Sequence, residues 1–328
     1  MTDLNLAEWI PCNIAWDGVT PMVEWVYYAE PRYPEPFFSE TLERSMQRPF
    51  NVLFRQRTSM ETLERWAERS PGIPPAGFIF HVSRCGSTLI TNLLGTLPSV
   101  LKISEAAPID ALLRARMRNP QISEAALASW LRALVSALGQ RREEQQSRLF
   151  IKFDAWNTVN LSVIKAAFPE VPWIFVYRDP VEVMVSALRH RGAHMVPMAL
   201  PPALFGMEIM ESVQIPTEQF GARVLKAIYE AGLQGHSLGK SLLINYTELP
   251  NAVTQQIAPF FGCEPGAQEN EAMREESLND AKNRAIFVPD SEQKQKDASV
   301  QVREAAQQWV YPIYEQLEAK RLKLQDLT

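Results

Sequence analysis

Residues 78–90 constrain the fold of this chain most, because they place a strand, a short loop and a helix in succession. Their sequence is Phe-Ile-Phe-His-Val-Ser-Arg-Cys-Gly-Ser-Thr-Leu-Ile. The apolar run at 78–82 is typical of a strand covered on both faces, and residues 88–94 have the apolar spacing of a helix. The loop at 83–87 therefore joins a strand to a helix N-terminus, where backbone N–H groups and the helix dipole attract anions.

The side chains of this loop suit a phosphate-like anion. Arg84 carries a bidentate guanidinium, Gly86 lets the backbone approach closely, and Ser87 and Thr88 supply hydroxyl donors. The loop differs from G-x-x-x-x-G-K-[ST] of nucleotide triphosphatases, because the earlier glycine and the lysine are absent. The alternative is an ordinary strand-to-helix turn capped by Ser83.

Composition excludes several classes of protein. The 328 residues are 46% hydrophobic and carry a formal net charge of -5, which fits a globular protein and argues against nucleic-acid binding. Cys12, Cys85 and Cys263 are too few and too scattered for a disulfide framework or a zinc site. With no basic leader and no long apolar run, we expect a cytoplasmic protein without a membrane span.

Strands and helices alternate from residue 76 onward. We expect strands at 78–82, 148–153, 172–177 and 241–246, and helices at 87–97, 106–118, 123–139, 158–168, 180–189, 217–232, 251–261 and 298–323. This order indicates an α/β fold with a mostly parallel central sheet and helices on both faces. Ligands of such sheets bind beyond the carboxyl ends of the strands, which here are Ser83, Asp154, Arg178 and Tyr246.

Residues 1–75 differ in character from the rest. They are rich in proline and contain Trp9, Trp16, Trp25 and Trp66, so long helices are not expected before residue 58. A strand is expected at 22–29 and a short helix at 59–69. We predict an N-terminal extension that packs on a main domain of residues 76–328.

A second anion-binding pattern follows the strand at 172–177. Arg178 stands at the strand end, and Ser186 lies eight residues later in the following helix. An arginine and a serine so placed can converge on one phosphate. The alternative is an ion pair of Arg178 with Asp179 or Glu182.

Together the two patterns resemble the sulfotransferase family, whose donor is 3′-phosphoadenosine 5′-phosphosulfate. The resemblance implies the P-loop-like sulfotransferase fold and no metal. It also implies that the 5′-phosphosulfate is bound by Ser83, Arg84, Cys85, Gly86, Ser87 and Thr88, and the 3′-phosphate by Arg178 and Ser186. Leu243-Ile-Asn-Tyr246-Thr-Glu-Leu resembles the family strand that ends R-Y-E-[DE]-L, which places Tyr246 at the donor.

The resemblance extends to the catalytic groups. Lys102-Ile-Ser-Glu105 is similar to the step at which the protein-tyrosine and heparan branches place a catalytic glutamate. Lys152 is similar to the family lysine that touches the sulfuryl group, and Arg84 would join it in holding transition-state charge. Asp154 is the alternative base, since the cytosolic branch has its histidine there.

The family's late R-K-G loop, which covers the donor, is absent. Basic residues that could replace it are Arg274, Lys282, Arg284, Lys294 and Lys296, although a solvated charged face is the favoured explanation for most of them. The resemblance implies transfer to a hydroxyl or amine of a small molecule, glycan or peptide, and leaves the acceptor and the oligomeric state open.

Two other functions stay open at this point. A P-loop kinase or nucleotidase would use ATP and Mg²⁺, with the strand at 149–154 ending in a magnesium-binding aspartate. A catalytically silent nucleotide-binding protein would keep the fold and use residues 1–75 for partners.

Overall fold

The computed structural model describes residues 5–282 and 290–325, and within them eight strands form two sheets. The strands are β1 Trp9–Asp17, β2 Thr20–Tyr27, β3 Gln56–Ser59, β4 Pro75–His81, β5 Val100–Ser104, β6 Arg148–Lys152, β7 Trp173–Tyr177 and β8 Ser241–Asn245. The first three form an antiparallel sheet in chain order. The other five form a parallel sheet in the order β5–β6–β4–β7–β8.

Helices connect the strands and flank the parallel sheet. They are α1 Phe38–Met46, α2 Pro49–Leu53, α3 Met60–Arg69, α4 Ser87–Gly95, α5 Ala107–Leu113, α6 Ala115–Arg118, α7 Glu124–Leu138, α8 Leu161–Ala167, α9 Pro180–Arg189, α10 Ile209–Gln214, α11 Thr217–Gly235, α12 Ala258–Phe260, α13 Ala267–Ser277, α14 Ser291–Asp297, α15 Val300–Trp309 and α16 Tyr311–Gln325. The predicted α/β fold class is confirmed. None of the described helices is long and apolar enough to cross a membrane.

Strand β7 shows why the sequence reads as a continuous apolar run. All five of its residues, Trp-Ile-Phe-Val-Tyr, are buried, because helices cover both faces of a parallel sheet. Its last residue, Tyr177, pairs in register with Asn245, the last residue of β8. Arg178 and Tyr246 therefore leave neighbouring strands at the same level. In the same way Ser104 pairs with Lys152, and Glu105 follows at the end of β5.

The chain divides into two compact units, and the boundary passes through β4 between Phe78 and Ile79. The first unit is drawn from Met1–Phe78, Thr91–Phe153 and Val163–Val171, and the second from Ile79–Ile90, Asp154–Ser162 and Pro172–Thr328. In the first unit, β1 contacts α5 and α7, and α3 contacts α7. In the second, α11 contacts α9, α15 and α16. The predicted domain boundary at residue 75 stays a prediction.

Several predicted elements differ in detail. Strand β5 was not expected, because Lys102 and Ser104 interrupt its apolar run. The single helix expected at 298–323 ends at Trp309 and resumes as α16, since Pro312 has no N–H to continue the ladder. The helix expected at 251–261 begins with a π-helical turn, Val253–Ile257, ahead of Pro259. The helix expected at 106–118 is split at Arg114.

Two glycines of α11 give a matched test of packing in the second unit. A methyl group on Gly232 would lie 2.4 Å from the ring of Phe175, whereas on Gly221 it would lie 3.6 Å from Met195 Sδ, an ordinary contact. We expect Gly232→Ala to lower the free energy of unfolding by about 1–3 kcal/mol through overpacking. Gly221→Ala should raise it by about 0.5–1 kcal/mol, because alanine favours the helix. Urea denaturation measures both, and equal effects would contradict the packing described here.

Candidate active site

The loop after β4 has a left-handed backbone at three of its residues. Ser83 has φ 69°, Arg84 has φ 53° and Gly86 has φ 84°. This conformation costs a residue other than glycine about 1–2 kcal/mol. Such turns direct successive N–H groups towards a common point and form anion-binding concavities. The strained backbone at Ser83 and Arg84 thus matches the anion site that the sequence predicts.

Gly86 is required by its surroundings as well as by its backbone. A Cβ atom at this position would lie 2.6 Å from Leu249 Cδ1 and 3.2 Å from Tyr246 Cδ2. Residues after β8 therefore pack directly against the loop. Only glycine fits both the left-handed φ and the close approach.

Arg84 and Ser186 are brought together by the fold. Arg84 Nε donates to Ser186 Oγ at 2.7 Å, and Ser186 is buried on α9. The serine hydroxyl thereby fixes the direction of the guanidinium. Sequence reasoning placed these two residues at opposite ends of the donor, and their direct contact was not expected.

Arg178 is almost fully buried, with 4% of its side chain exposed, and is surrounded by acceptors. Its Nε donates to Glu182 Oε2 at 2.6 Å, and its Nη2 donates to Asp290 Oδ1 at 2.8 Å. Its guanidinium carbon lies 3.8 Å from the ring centroid of Tyr246, a cation–π contact. The ion pair with Glu182, considered from the sequence as an alternative role, is present and orients Arg178.

Lys294 on α14 is a third cation of this cluster, in addition to Arg84 and Arg178. Lys294 Nζ lies 2.7 Å from Asp290 Oδ2, and the lysine is buried. Ser291 Oγ accepts from Arg178 Nη2 at 3.0 Å and donates to Glu182 Oε2 at 3.0 Å. Asp290 therefore bridges Arg178 and Lys294 with its two carboxylate oxygens.

The pKa values in this cluster follow from its charges. Burial opposes ionisation of Asp290, but hydrogen bonds from Lys294 and Arg178 outweigh it and lower the pKa of the carboxyl. Burial also lowers the pKa of Lys294, against its hydrogen bond to Asp290, and the positive charges of Arg178 and Arg84 lower it further. The charges of Arg178 and Arg84 thus make the charged form of Lys294 less favourable.

These groups line a cavity of about 430 Å³ in the second unit. Among the described residues, its charged lining consists of Arg84, Arg178, Lys282, Lys294, Asp280 and Asp290. Four cations and two acids give the wall a formal excess of two positive charges. A cavity of this size is in the range that holds a nucleotide-sized ligand.

A separate charge pair lies in the first unit, at the ends of β5 and β6. Lys152 Nζ is 2.8 Å from Glu105 Oε1; the lysine side chain is fully buried, and 24% of the glutamate side chain is exposed. Lys152 also faces the ring of Phe37 at 4.6 Å. Glu105 has φ 56°, and its N–H donates to the backbone oxygen of Lys152 at 2.7 Å. The strained backbone and the buried cation together hold this carboxylate in one place.

Asp154, the alternative base, belongs to the second unit. It is 7% exposed and precedes the 3₁₀ helix Ala155–Asn160. Asn157 Nδ2 donates to its Oδ2 at 3.4 Å. Asp154 is thus less accessible than Glu105.

Most predicted donor-site residues line the cavity: Arg84, Gly86, Ser87, Thr88, Arg178 and Tyr246. Ser83, Cys85 and Ser186 do not. The Cys85 thiol is buried and donates to Val176 O at 3.2 Å, so only its backbone is available to a ligand. Within the described chain, no group of three or more metal-ligating side chains was found.

The basic residues considered as a replacement for the covering loop differ in whether they line the cavity. Lys282 and Lys294 line the cavity, whereas Arg274, paired with Glu271, and Lys296 do not. Arg284 lies outside the described residues. Asp290 and Ser291, which contact Arg178, were not predicted from the sequence. Aspartate and serine before a polar helix are a helix-start signal, but nothing local connects them to Arg178.

The model of the "Sulfotransferase family" matches residues 75–265. No curated protein sequence matches the chain.

Similar solved structures include sulfotransferase STF9 from Mycobacterium avium, at 13% identity, covering 75% of this chain and 79% of that one with a TM-score of 0.44. A sulfotransferase from Alicyclobacillus acidocaldarius has 17% identity, covers 76% and 96%, and has a TM-score of 0.42. Mouse sulfotransferase SULT7A1 complexed with PAP has 13% identity, covers 83% and 93%, and has a TM-score of 0.38.

The family match confirms the enzyme class that the residue patterns predict, with sulfuryl transfer as the reaction and 3′-phosphoadenosine 5′-phosphosulfate as co-substrate. The matched stretch carries the loop at 83–88, the Glu105–Lys152 pair and Arg178 with Ser186. Because it spans more than half of the chain, the chain belongs to the sulfotransferase family.

Proposed function

We propose that this enzyme binds its donor in the cavity of the second unit and moves the sulfuryl group to a hydroxyl or amine of a small molecule, glycan or peptide. The observation that carries the proposal is the cation-rich wall, in which Arg178 lies beside the loop at 83–88 that carries Arg84. A donor with phosphate groups at two ends needs two cationic sites. A cytoplasmic location, expected from the sequence, goes with this proposal.

Each end of the donor has a proposed set of ligands. The loop N–H groups, Arg84, Ser87 and Thr88 bind the 5′-phosphosulfate. Arg178 binds the 3′-phosphate. Ser186 acts through Arg84. Its Oγ accepts a hydrogen bond from Arg84 Nε at 2.7 Å and so orients the guanidinium. Gly86 and Tyr246 shape the wall, and Tyr246 supports Arg178 from the face of its ring.

For catalysis we propose an in-line displacement without a metal. The acceptor oxygen attacks sulfur, the bond from sulfur to the bridging oxygen of the phosphosulfate breaks, and charge spreads over the sulfuryl and leaving oxygens. Arg84 and Lys152 are the cations that the family resemblance assigns to that charge. A fully buried ammonium such as Lys152 is poorly screened by water, so its effect on developing negative charge is large.

Glu105 is the proposed general base. Its Oε1 is held by Lys152, and its side chain is partly exposed, so the carboxylate is fixed in place yet accessible to an acceptor. A base must come within hydrogen-bond reach of the proton that it removes. Asp154 is less accessible, which favours Glu105.

Donor binding gives the first test. We expect 3′,5′-adenosine bisphosphate to raise the melting temperature in the presence of a chelator, because ligands that bind only the folded state stabilise it. Ser186→Ala should weaken this binding about tenfold, since Arg84 loses a charge-assisted hydrogen bond.

Ser212→Ala is the matched control, because this serine is also buried but donates to Ile209 O on α10, away from the cavity lining. Its affinity for the bisphosphate should equal that of the parent. Stabilisation by ATP only with Mg²⁺ would instead support a kinase or nucleotidase. Bisphosphate binding with no transfer from labelled donor to any class of acceptor would indicate a silent binding protein.

The base assignment gives a second prediction. Glu105→Gln should lower kcat by about 10²–10⁴-fold, the usual contribution of general acid–base catalysis, while bisphosphate binding persists. The amide oxygen can still accept from Lys152, so the side chain should keep its place. Transfer from labelled donor, measured on an acceptor found by screening, gives kcat.

Asp154→Asn is the companion variant and should keep turnover within about threefold, as expected for a group that does not take the proton. Full activity of Glu105→Gln with an inactive Asp154→Asn would assign the base to Asp154. Thermal denaturation of both variants separates loss of the base from loss of the fold, because Lys152 needs a partner.

A further inference from the structure

The described hydrogen-bond partners of Arg178 are Glu182, the backbone oxygen of Arg84, Asp290 and Ser291, and Asp290 is the more exposed of the two carboxylates among them. Glu182 is buried on α9, and the oxygen of Arg84, 3.4 Å from Nη1, belongs to the backbone. Asp290 is different, because 49% of its side chain is exposed. A phosphate can approach this guanidinium most easily by taking the place of Asp290.

The Asp290 carboxylate already has the contacts of a bound phosphate. One oxygen lies 2.8 Å from Arg178 Nη2, and the other lies 2.7 Å from Lys294 Nζ. Both are charge-assisted hydrogen-bond distances. An anionic oxygen pair bridging an arginine and a buried lysine is the arrangement by which proteins bind phosphate.

Lys294 stays charged in this place only with an anion beside it. Only 8% of its side chain is exposed, and the charges of Arg178 and Arg84 act against its own. A buried cation that loses its partner is strongly destabilising. If Asp290 moves away, another anion must replace it, and a dianionic phosphate fits better than a single carboxylate.

We propose that Asp290 occupies the 3′-phosphate position of the free enzyme, bridging Arg178 and Lys294, and that the donor binds by exchanging its 3′-phosphate for this carboxylate. This inference rests on the proposed function, in which Arg178 binds that phosphate. It also makes Lys294 a ligand of the 3′-phosphate, in place of a residue of the absent R-K-G loop.

The exchange lowers the affinity for the nucleotide but raises the selectivity for nucleotides that carry a 3′-phosphate. Asp290 competes with the ligand, so the apparent affinity is reduced by the fraction of enzyme in which the position is free. An anion with one charge gains little by replacing a carboxylate of equal charge. A phosphate with two charges gains more, so the site favours nucleotides that carry a 3′-phosphate.

Isothermal titration calorimetry on the full chain tests the exchange. Asp290→Asn should bind 3′,5′-adenosine bisphosphate about tenfold more tightly than the parent, because a neutral amide is displaced more easily than a carboxylate. Its affinity for 5′-AMP, which has no 3′-phosphate, should change less than about twofold. Asp290→Ala should likewise bind the bisphosphate more tightly and 5′-AMP almost unchanged. It replaces Asp290→Asn in the experiment if that variant fails to fold.

Asp280→Asn is the matched control, since it removes an equal charge from the same cavity wall. If it tightens bisphosphate binding as much as Asp290→Asn does, the effect is one of general charge and the exchange is wrong. Weaker or unchanged binding in Asp290→Asn would also overturn it, and would make Asp290 a residue that positions the two cations. A parent enzyme that binds no bisphosphate would instead refute the proposed function.

Discussion

Burial of the Arg178 guanidinium is the constraint on which the proposed donor site depends. A buried cation is tolerated only when hydrogen-bonded and paired, and here the partners come from three parts of the second unit. Glu182 is supplied by α9, Asp290 and Ser291 by the start of α14, and the ring of Tyr246 by the end of β8. The need to satisfy one side chain thus draws distant segments of the chain to one wall.

The same principle operates in the first unit. Lys152 is fully buried and is paired with Glu105, whose side chain is partly exposed. In both units a buried cation is paired with a carboxylate that solvent can reach. This arrangement pairs the cation while the carboxylate remains available, in our proposals Glu105 to take a proton and Asp290 to exchange with an anion.

The sequence predicted those parts of the site that are close in the chain. The loop at 83–88 combines a buried strand, a glycine and hydroxyl residues within a few positions, and Arg178 with Ser186 has a fixed spacing. The contact of Ser186 with Arg84 could not be predicted, since they lie on separate segments that meet only in the folded chain. Asp290 was missed for the same reason, because its significance depends on Arg178. Strand β5 was not predicted, because Lys102 and Ser104 interrupt its apolar pattern. Its backbone nevertheless pairs with β6 along its whole length.

Backbone strain indicates where local preference gives way to function. Ser83, Arg84 and Glu105 all adopt left-handed φ values, and glycine at any of these positions would relieve the strain. Arg84 and Glu105, however, supply side chains that glycine lacks, an orienting contact to Ser186 and an ion pair to Lys152. Both follow the carboxyl ends of parallel strands, where the backbone must turn sharply while its side chain faces a ligand. The cost of about 1–2 kcal/mol at each is small beside the effect on the rate that we propose for these charged groups.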